Sequence, residues 1–254
     1  MIIDTHSHYN LDPFWTDWTT HWLKAQAAGV HQSIVVGVNA ETSKRAVTLA
    51  HSDENLFAAI GYHPTEKENV DIATLETLLP NKKIIAIGET GLDYFHSKDV
   101  TEISEQKKYF ALHIRLAKKY SLPLIIHCRD RSEQAYWDVL EILHTEKFSG
   151  TFILHCVSGP LAYIQEAVTM GAYFGIAGNM TYKNSEHLRD IVRAVPKDRL
   201  LLETDAPFLP PQEFRGKVCE PWMISKTAEY VSPQFNVELD QLYQNSLQAF
   251  GLLP

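Results

Sequence analysis

The chain has 254 residues, a length that favours one large α/β domain. With 45% apolar and 21% charged residues, 12 Gly and 12 Pro, its composition excludes a disordered chain, a collagen, a coiled coil and a disulfide scaffold. Its 23 Lys and Arg against 31 Asp and Glu leave a net charge of −8, which excludes holding nucleic acid by bulk electrostatics, so a phosphate-bearing substrate would need a local source of positive charge.

The apolar pattern alternates short Val/Ile/Leu-rich runs with amphipathic stretches. In chain order it predicts a strand over 1–8, a helix over 15–28, a strand over 31–38, a helix over 42–51, a strand over 56–63 and a helix over 71–79. A strand over 83–89, a helix over 104–120, a strand over 122–128, a helix over 131–145, a strand over 151–156 and a helix over 160–170 come next. A strand over 172–177, a helix over 185–194, a strand over 199–205 and helices over 221–231 and 238–250 complete the series. Ser104 and Ser132 are read as helix-start residues, and Pro160, Pro196 and Pro221 as starts or stops. Eight βα units at this length predict a (β/α)8 TIM-like barrel in a single domain, with a doubly wound open sheet as the alternative. Three cysteines, an odd count, point to a reducing compartment, with the cytoplasm as default. No run reaches the roughly 18 apolar residues of a membrane span, so neither a membrane nor an obligate protein partner is expected.

Barrels of this kind carry their chemistry at the C-terminal ends of the strands. Strand one reads Asp4-Thr5-His6-Ser7-His8, and residues two apart share a face, so His6 and His8 project together. Alone, a His-x-His pair is equally a structural feature. The other strands end in Gly61-Tyr62-His63-Pro64, Gly88-Glu89-Thr90-Gly91-Leu92-Asp93, His127-Cys128-Arg129-Asp130, His155-Cys156 and Glu203-Thr204-Asp205. Imidazoles and carboxylates closing six apolar strands would be costly to bury unless paired or metal-bound. Four His with two carboxylates suit Zn, Mn, Co or Ni better than Mg. Glu89 is the candidate bridge between two ions, and Asp205 the candidate ligand that accepts a proton from activated water.

These motifs, with Arg215-Gly216-Lys217 and Glu220-Pro221, resemble the TatD-type metal-dependent deoxyribonucleases, a branch of the amidohydrolase-like metallo-barrels, over nearly the whole chain. The resemblance implies two divalent ions, one held by His6, His8, Glu89 and Asp205, the other by Glu89, His127 and His155. It implies hydrolysis of DNA phosphodiesters, often 3′→5′ from an end, with DNA ends or single-stranded DNA as substrate. His63 would bind the scissile phosphate or assist proton transfer, Arg129 would add a guanidinium, and Glu203 would support a ligand or bind metal weakly. Ser7, Val157 and Cys219 depart from the family pattern, and Cys219, on a mouth loop, bears on substrate contacts there.

Bland readings accompany several of these. His63 could be a packed histidine and Arg129 a salt-bridge partner, and Asp4 is expected to orient the first strand. Cys128 and Cys156 are expected to point outward, and His21, His31, His51, His96, His113, His144 and His187 to be surface or packing residues. Tyr94, Phe95, Phe208 and Trp222 could stack on bases or simply pack the loops. The rival functions are ester or amide hydrolysis, such as aminoacyl-tRNA deacylation, and a non-catalytic metal-binding barrel.

Overall fold

The computed structural model describes residues 1–66, 70–97 and 99–253. Eight parallel strands form one sheet in sequence order: β1 Ile2–Ser7, β2 Val30–Val36, β3 Leu56–Ile60, β4 Ile84–Asp93, β5 Leu124–Arg129, β6 Phe152–Leu154, β7 Tyr173–Ile176 and β8 Leu200–Leu202. Between them run α1 Trp18–Ala27, α2 Ala40–Ser52, α3 Ile72–Glu76, α4 Val100–Tyr120, α5 Gln134–Thr145, α6 Leu161–Thr169 and α7 Glu186–Ala194, with α8 Ile224–Phe235 and α9 Leu239–Ala249 at the end. The circle closes where Ser7 pairs with Ala206, where the Asp205 amide donates to the His6 carbonyl at 2.9 Å and where the His8 amide donates to the Ala206 carbonyl at 2.9 Å. This is the expected (β/α)8 barrel, nearly closed.

Strand alternation separates two cores. Ile34, Val36, Ile125, Ile153 and Leu201 fill the barrel interior, where Phe250 packs on them. Their strand neighbours Val35, Leu124, Ile126, Phe152, Leu154, Leu200 and Leu202 face outward against the helices, among which Trp22, Phe110, Ile114 and Tyr163 are buried. Adding two or four residues to the inward positions reaches His127 and Arg129, His155, and Glu203 and Asp205. On β5 the pleat that fills the core therefore also sets His127 and Arg129 at the mouth, and on β6 and β8 the polar groups follow directly on the strand ends.

Several boundaries differ from the sequence expectation. β6 stops at Leu154 and β8 at Leu202, so His155, Cys156, Glu203 and Asp205 stand on the turns beyond those strands, while β4 runs on through Asp93. α4 starts at Val100, its amides capped by Asp99 accepting from Thr101, and Ser104 lies inside it. Ser132 does not cap α5. Asp130 does that work, accepting from the amides of Ser132 and Ala135 at 2.9 Å each, because a carboxylate is the stronger acceptor at a helix start. Among the described residues no helix is long and apolar enough to cross a membrane.

Candidate metal centre

The six ligands expected from the sequence converge at the C-terminal end of the barrel. His6 and His8 bring their Nε2 atoms to 3.2 Å of each other, and Asp205 Oδ1 lies 3.4 Å from His8 and 3.8 Å from His6. Glu89 stands between two groups and offers one oxygen to each. Its Oε2 is 3.4 Å from His6 Nε2 and 3.8 Å from His8 Nε2. Its Oε1 is 3.0 Å from His127 Nδ1, 3.4 Å from His155 Nε2 and 3.4 Å from His63 Nε2.

These nitrogens lack donors to meet. His8 Nδ1 is held 2.8 Å from the Val36 carbonyl, His155 Nδ1 is 3.1 Å from Glu203 Oε1, and His127 Nε2 is 3.2 Å from Asp93 Oδ2. If each of those outer nitrogens carries the ring proton, the inner nitrogen of each neutral ring is a bare lone pair facing a carboxylate that cannot donate. Such a convergence calls for protons or cations, and imidazoles oriented by carboxylates or a carbonyl on their far side are how proteins prepare metal ligands. The donor set fits a divalent transition ion on that observation. Among the described residues four trios have ligand atoms within 4.8 Å of one another: three that share members, His6, His8 and Asp205, His6, His155 and Glu203, and His155, Cys156 and Asp205, and a separate one of His63, Glu89 and His127.

The electrostatics express the same crowding. Burial opposes charge on His155, yet Glu203, Glu89 and Asp205 outweigh it and push its imidazolium up to about 10. Burial also opposes charge on Glu89, and the ring of imidazoles nevertheless holds its carboxyl well below the usual range. Asp205 is likewise held down, against burial, by His155 and His8. His63 goes the other way: burial brings it down to about 3, so it is a neutral ring, with Nδ1 2.7 Å from the Thr65 hydroxyl.

Neighbouring segments hold these groups in place. Asp205 adopts a left-handed φ of 58°, which a non-glycine residue keeps only when its surroundings impose it. Here Asp4 Oδ2 and Oδ1 grip the hydroxyl and amide of Thr204 at 2.7 and 3.0 Å. Asp4 thus orients the strand end, as expected, and burial raises its carboxyl to about 7. Glu203 reaches His155 because Gly175 on β7 has no side chain: a Cβ there would collide with the Glu203 carboxylate.

Other expectations are corrected. Cys156 does not point outward. β6 ends before it, its φ is 50°, and it faces the site with His155 and Asp205 within ligand distance, so strand alternation does not govern it. Cys128 does lie on β5 and packs against the outer core. His96 is not merely a surface residue, since its Nδ1 is 2.9 Å from Asp93 Oδ2, and Asp93 in turn contacts His127. Asp93 itself, part of a strand-end motif but given no role from sequence, is buried and braces the candidate ligand His127. Its position at the end of a strand one parity step beyond the Gly91 that packs on the His127 backbone was the available signal.

At the rim, the Arg129 guanidinium stacks on Phe95 at 4.1 Å from the ring centroid and forms no ion pair among the described residues. Tyr94 is buried and donates its hydroxyl to Asp138 at 2.7 Å, so it is not free to stack on a base. Trp222 packs between Phe214 and Lys24, whereas Phe208 is 54% exposed with its ring 6.2 Å from that of His8. Cys219 is buried against Phe14, Ala206 and Met223, which removes its side chain from substrate contact.

Comparisons with known proteins agree with this geometry. The family model described as TatD related DNase matches residues 3–253. The chain is 38% identical over 236 residues to the uncharacterized metal-dependent hydrolase YabD of Bacillus subtilis, covering 91% of this chain and 90% of that protein. It is 31% identical over 258 residues to the uncharacterized metal-dependent hydrolase YcfH of Escherichia coli K12, covering 100% and 95%. The crystal structure of YjjV, a TatD homologue from Escherichia coli K12, matches with a TM-score of 0.89 at 30% identity, covering 100% of this chain and 98% of that one. The chain belongs to the TatD-related DNase family of metal-dependent hydrolases.

Proposed function

We propose that this hydrolase cleaves phosphodiester bonds of DNA, at strand ends or in single strands, with two divalent ions. The observation that carries the reading is the Glu89 carboxylate, one oxygen facing His6 and His8 and the other facing His127 and His155. His6, His8, Asp205 and Glu89 Oε2 would hold one ion, and His127, His155 and Glu89 Oε1 the other. Zn, Mn, Co or Ni suits this nitrogen-rich set better than Mg. Ions so held supply Lewis acidity, polarising phosphoryl oxygen and lowering the pKa of water toward about 7.

The chain's own groups do the rest. Asp205, kept as a carboxylate, accepts the proton of the attacking water as its oxygen bonds to phosphorus. The bond from phosphorus to the leaving oxygen breaks, giving a monoester and an alcohol. His63, neutral and beside Glu89 Oε1, accepts the Thr65 amide at Nδ1 and so presents its Nε2–H as a hydrogen-bond donor to a phosphate oxygen. Arg129 supplies a cation at the rim, the local positive charge that an acidic chain needs. The exposed Phe208 ring is a surface on which a splayed base can stack.

The test pairs metal analysis of the purified protein with cleavage of a 3′-labelled single-stranded DNA oligonucleotide. Both are repeated after chelation and after re-addition of Zn²⁺, Mn²⁺, Co²⁺ or Mg²⁺, with Asp205→Asn alongside. The expected result is about two bound ions per chain and chelator-sensitive, Asp205-dependent cleavage. Full cleavage by Asp205→Asn overturns the assignment of that carboxylate. Bound metal with DNA untouched, but a misacylated tRNA deacylated, moves the reaction to carboxylic esters.

A further inference from the structure

Beside the ligand cluster, two cations share one aromatic ring and form no ion pair among the described residues. The amides of Tyr94 and Phe95 donate to the Arg129 carbonyl at 2.9 and 3.3 Å, which fixes Phe95 against the end of β5. The guanidinium carbons of Arg129 and Arg131 each lie 4.1 Å from the Phe95 centroid, so the two charges stand within twice that distance of each other. His96 packs edge-on against the same ring at 4.9 Å. Asp93 pairs in register with Arg129 and contacts His127, which places the group directly alongside the candidate metal ligands.

Two acids next to these arginines are engaged by other groups. Asp130 accepts the amides of Arg131 and Ser132 through Oδ1 at 2.6 and 2.9 Å and that of Ala135 through Oδ2 at 2.9 Å. Asp93 is occupied by His96 and His127. Elsewhere Arg45, Arg115, Arg189 and Arg193 each have a glutamate partner, while Arg199 and Arg215 each lie alone over a tyrosine ring, so among the described residues only Arg129 and Arg131 share one ring. Arg129 and Arg131 are exposed and form no ion pair among the described residues. Two like charges held at one ring repel each other, and an anion that touches both guanidiniums at the edge of the ring relieves that repulsion. The planar forks of two guanidiniums match phosphate oxygens in particular.

We infer that Phe95, Arg129 and Arg131 form a clamp for a second phosphate of the substrate, adjacent to the scissile one, so that the enzyme favours substrates carrying at least two phosphates. The inference rests on the phosphodiesterase reading and deepens it. The ring spaces the guanidiniums, Asp130 holds the loop that carries Arg131, and Asp93 ties the clamp to the ligand His127.

The test uses the metal-loaded protein with three substrates: a thymidine dinucleotide with one phosphate, the trinucleotide with a second, internal phosphate, and the 5′-phosphorylated dinucleotide with a second, terminal one. The wild type is expected to show kcat/KM about tenfold higher when a second phosphate is present. Arg131→Gln should abolish that preference through KM, and Arg115→Gln, far from the mouth on α4, should keep it. Whichever two-phosphate substrate loses its advantage identifies the internal or terminal source. A preference unchanged in Arg131→Gln, or an equal loss on all three substrates, overturns the clamp. Binding of fluorescent tetrathymidylate gives a readout independent of turnover: the slope of log affinity against log salt should fall by about 0.7 in Arg131→Gln. If the wild type hydrolyses none of the three, the phosphodiesterase reading fails, and the salt slope alone then decides the clamp, an unchanged slope overturning it.

Discussion

Asp4 Oδ2 accepts a hydrogen bond from the Thr204 hydroxyl at 2.7 Å, and through it the residue two before His6 holds the residue just before Asp205. The contact crosses the closure of the barrel, where the last strand returns to the first. Two candidate ligands from opposite ends of the chain are thereby set by a single buried carboxylate.

Thr204→Val keeps the shape of the side chain and deletes the hydroxyl. It leaves a buried acceptor short of a partner and should cost about 1–3 kcal/mol in urea unfolding of the chelated protein. Because Asp205 loses its brace, turnover should fall with little change in KM. Wild-type stability together with wild-type turnover would show that the clasp is idle.

Gly175→Ala places a methyl group where the Glu203 carboxylate lies. Glu203 must move, His155 loses its 3.1 Å partner, and overpacking of about 1–3 kcal/mol is expected. Metal analysis should then find less bound ion than in the wild type. Undiminished metal content would mean that His155 does not depend on Glu203.

Asp93 acts on His127 from the side away from Glu89, at 3.2 Å. Asp93→Asn retains size and removes the charge that orients the ring, so metal affinity should fall by about 10- to 100-fold. Titration against a chelating indicator reads this directly, and affinity within about twofold of the wild type would refute the coupling.

His113 offers a pH signature separate from the ligands. Burial brings it down to about 4 in the fold, from an ordinary value of 6.5. The unfolded chain therefore takes up a proton first as pH falls. The stability contributed by the neutral ring is complete above about 6.5 and is lost between there and about 4, amounting to about 3 kcal/mol. In His113→Gln, urea unfolding with chelator present should lose that portion of the pH dependence. An unchanged profile would show that His113 is not the group responsible.

The amino-acid sequence by itself determined the eight alternating βα units and singled out the six candidate ligands that the barrel brings together. Apolar runs ending in His or a carboxylate carry both messages, since the alternation marks each strand and the polar residues that close it stand where the strand reaches the C-terminal rim of the barrel. Tertiary structure decided where each strand stops, and with it the direction of Cys156, because β6 ends at Leu154 and the turn beyond obeys no alternation. It decided that Asp93 braces His127, that Gly175 makes room for Glu203, and that Arg129 and Arg131 meet over Phe95. Each of those contacts joins residues from different βα units, or from a strand end and a loop, whose distance along the chain says nothing of their distance in space. Only the closing of the barrel, which brings all eight strand ends to one rim, makes them neighbours.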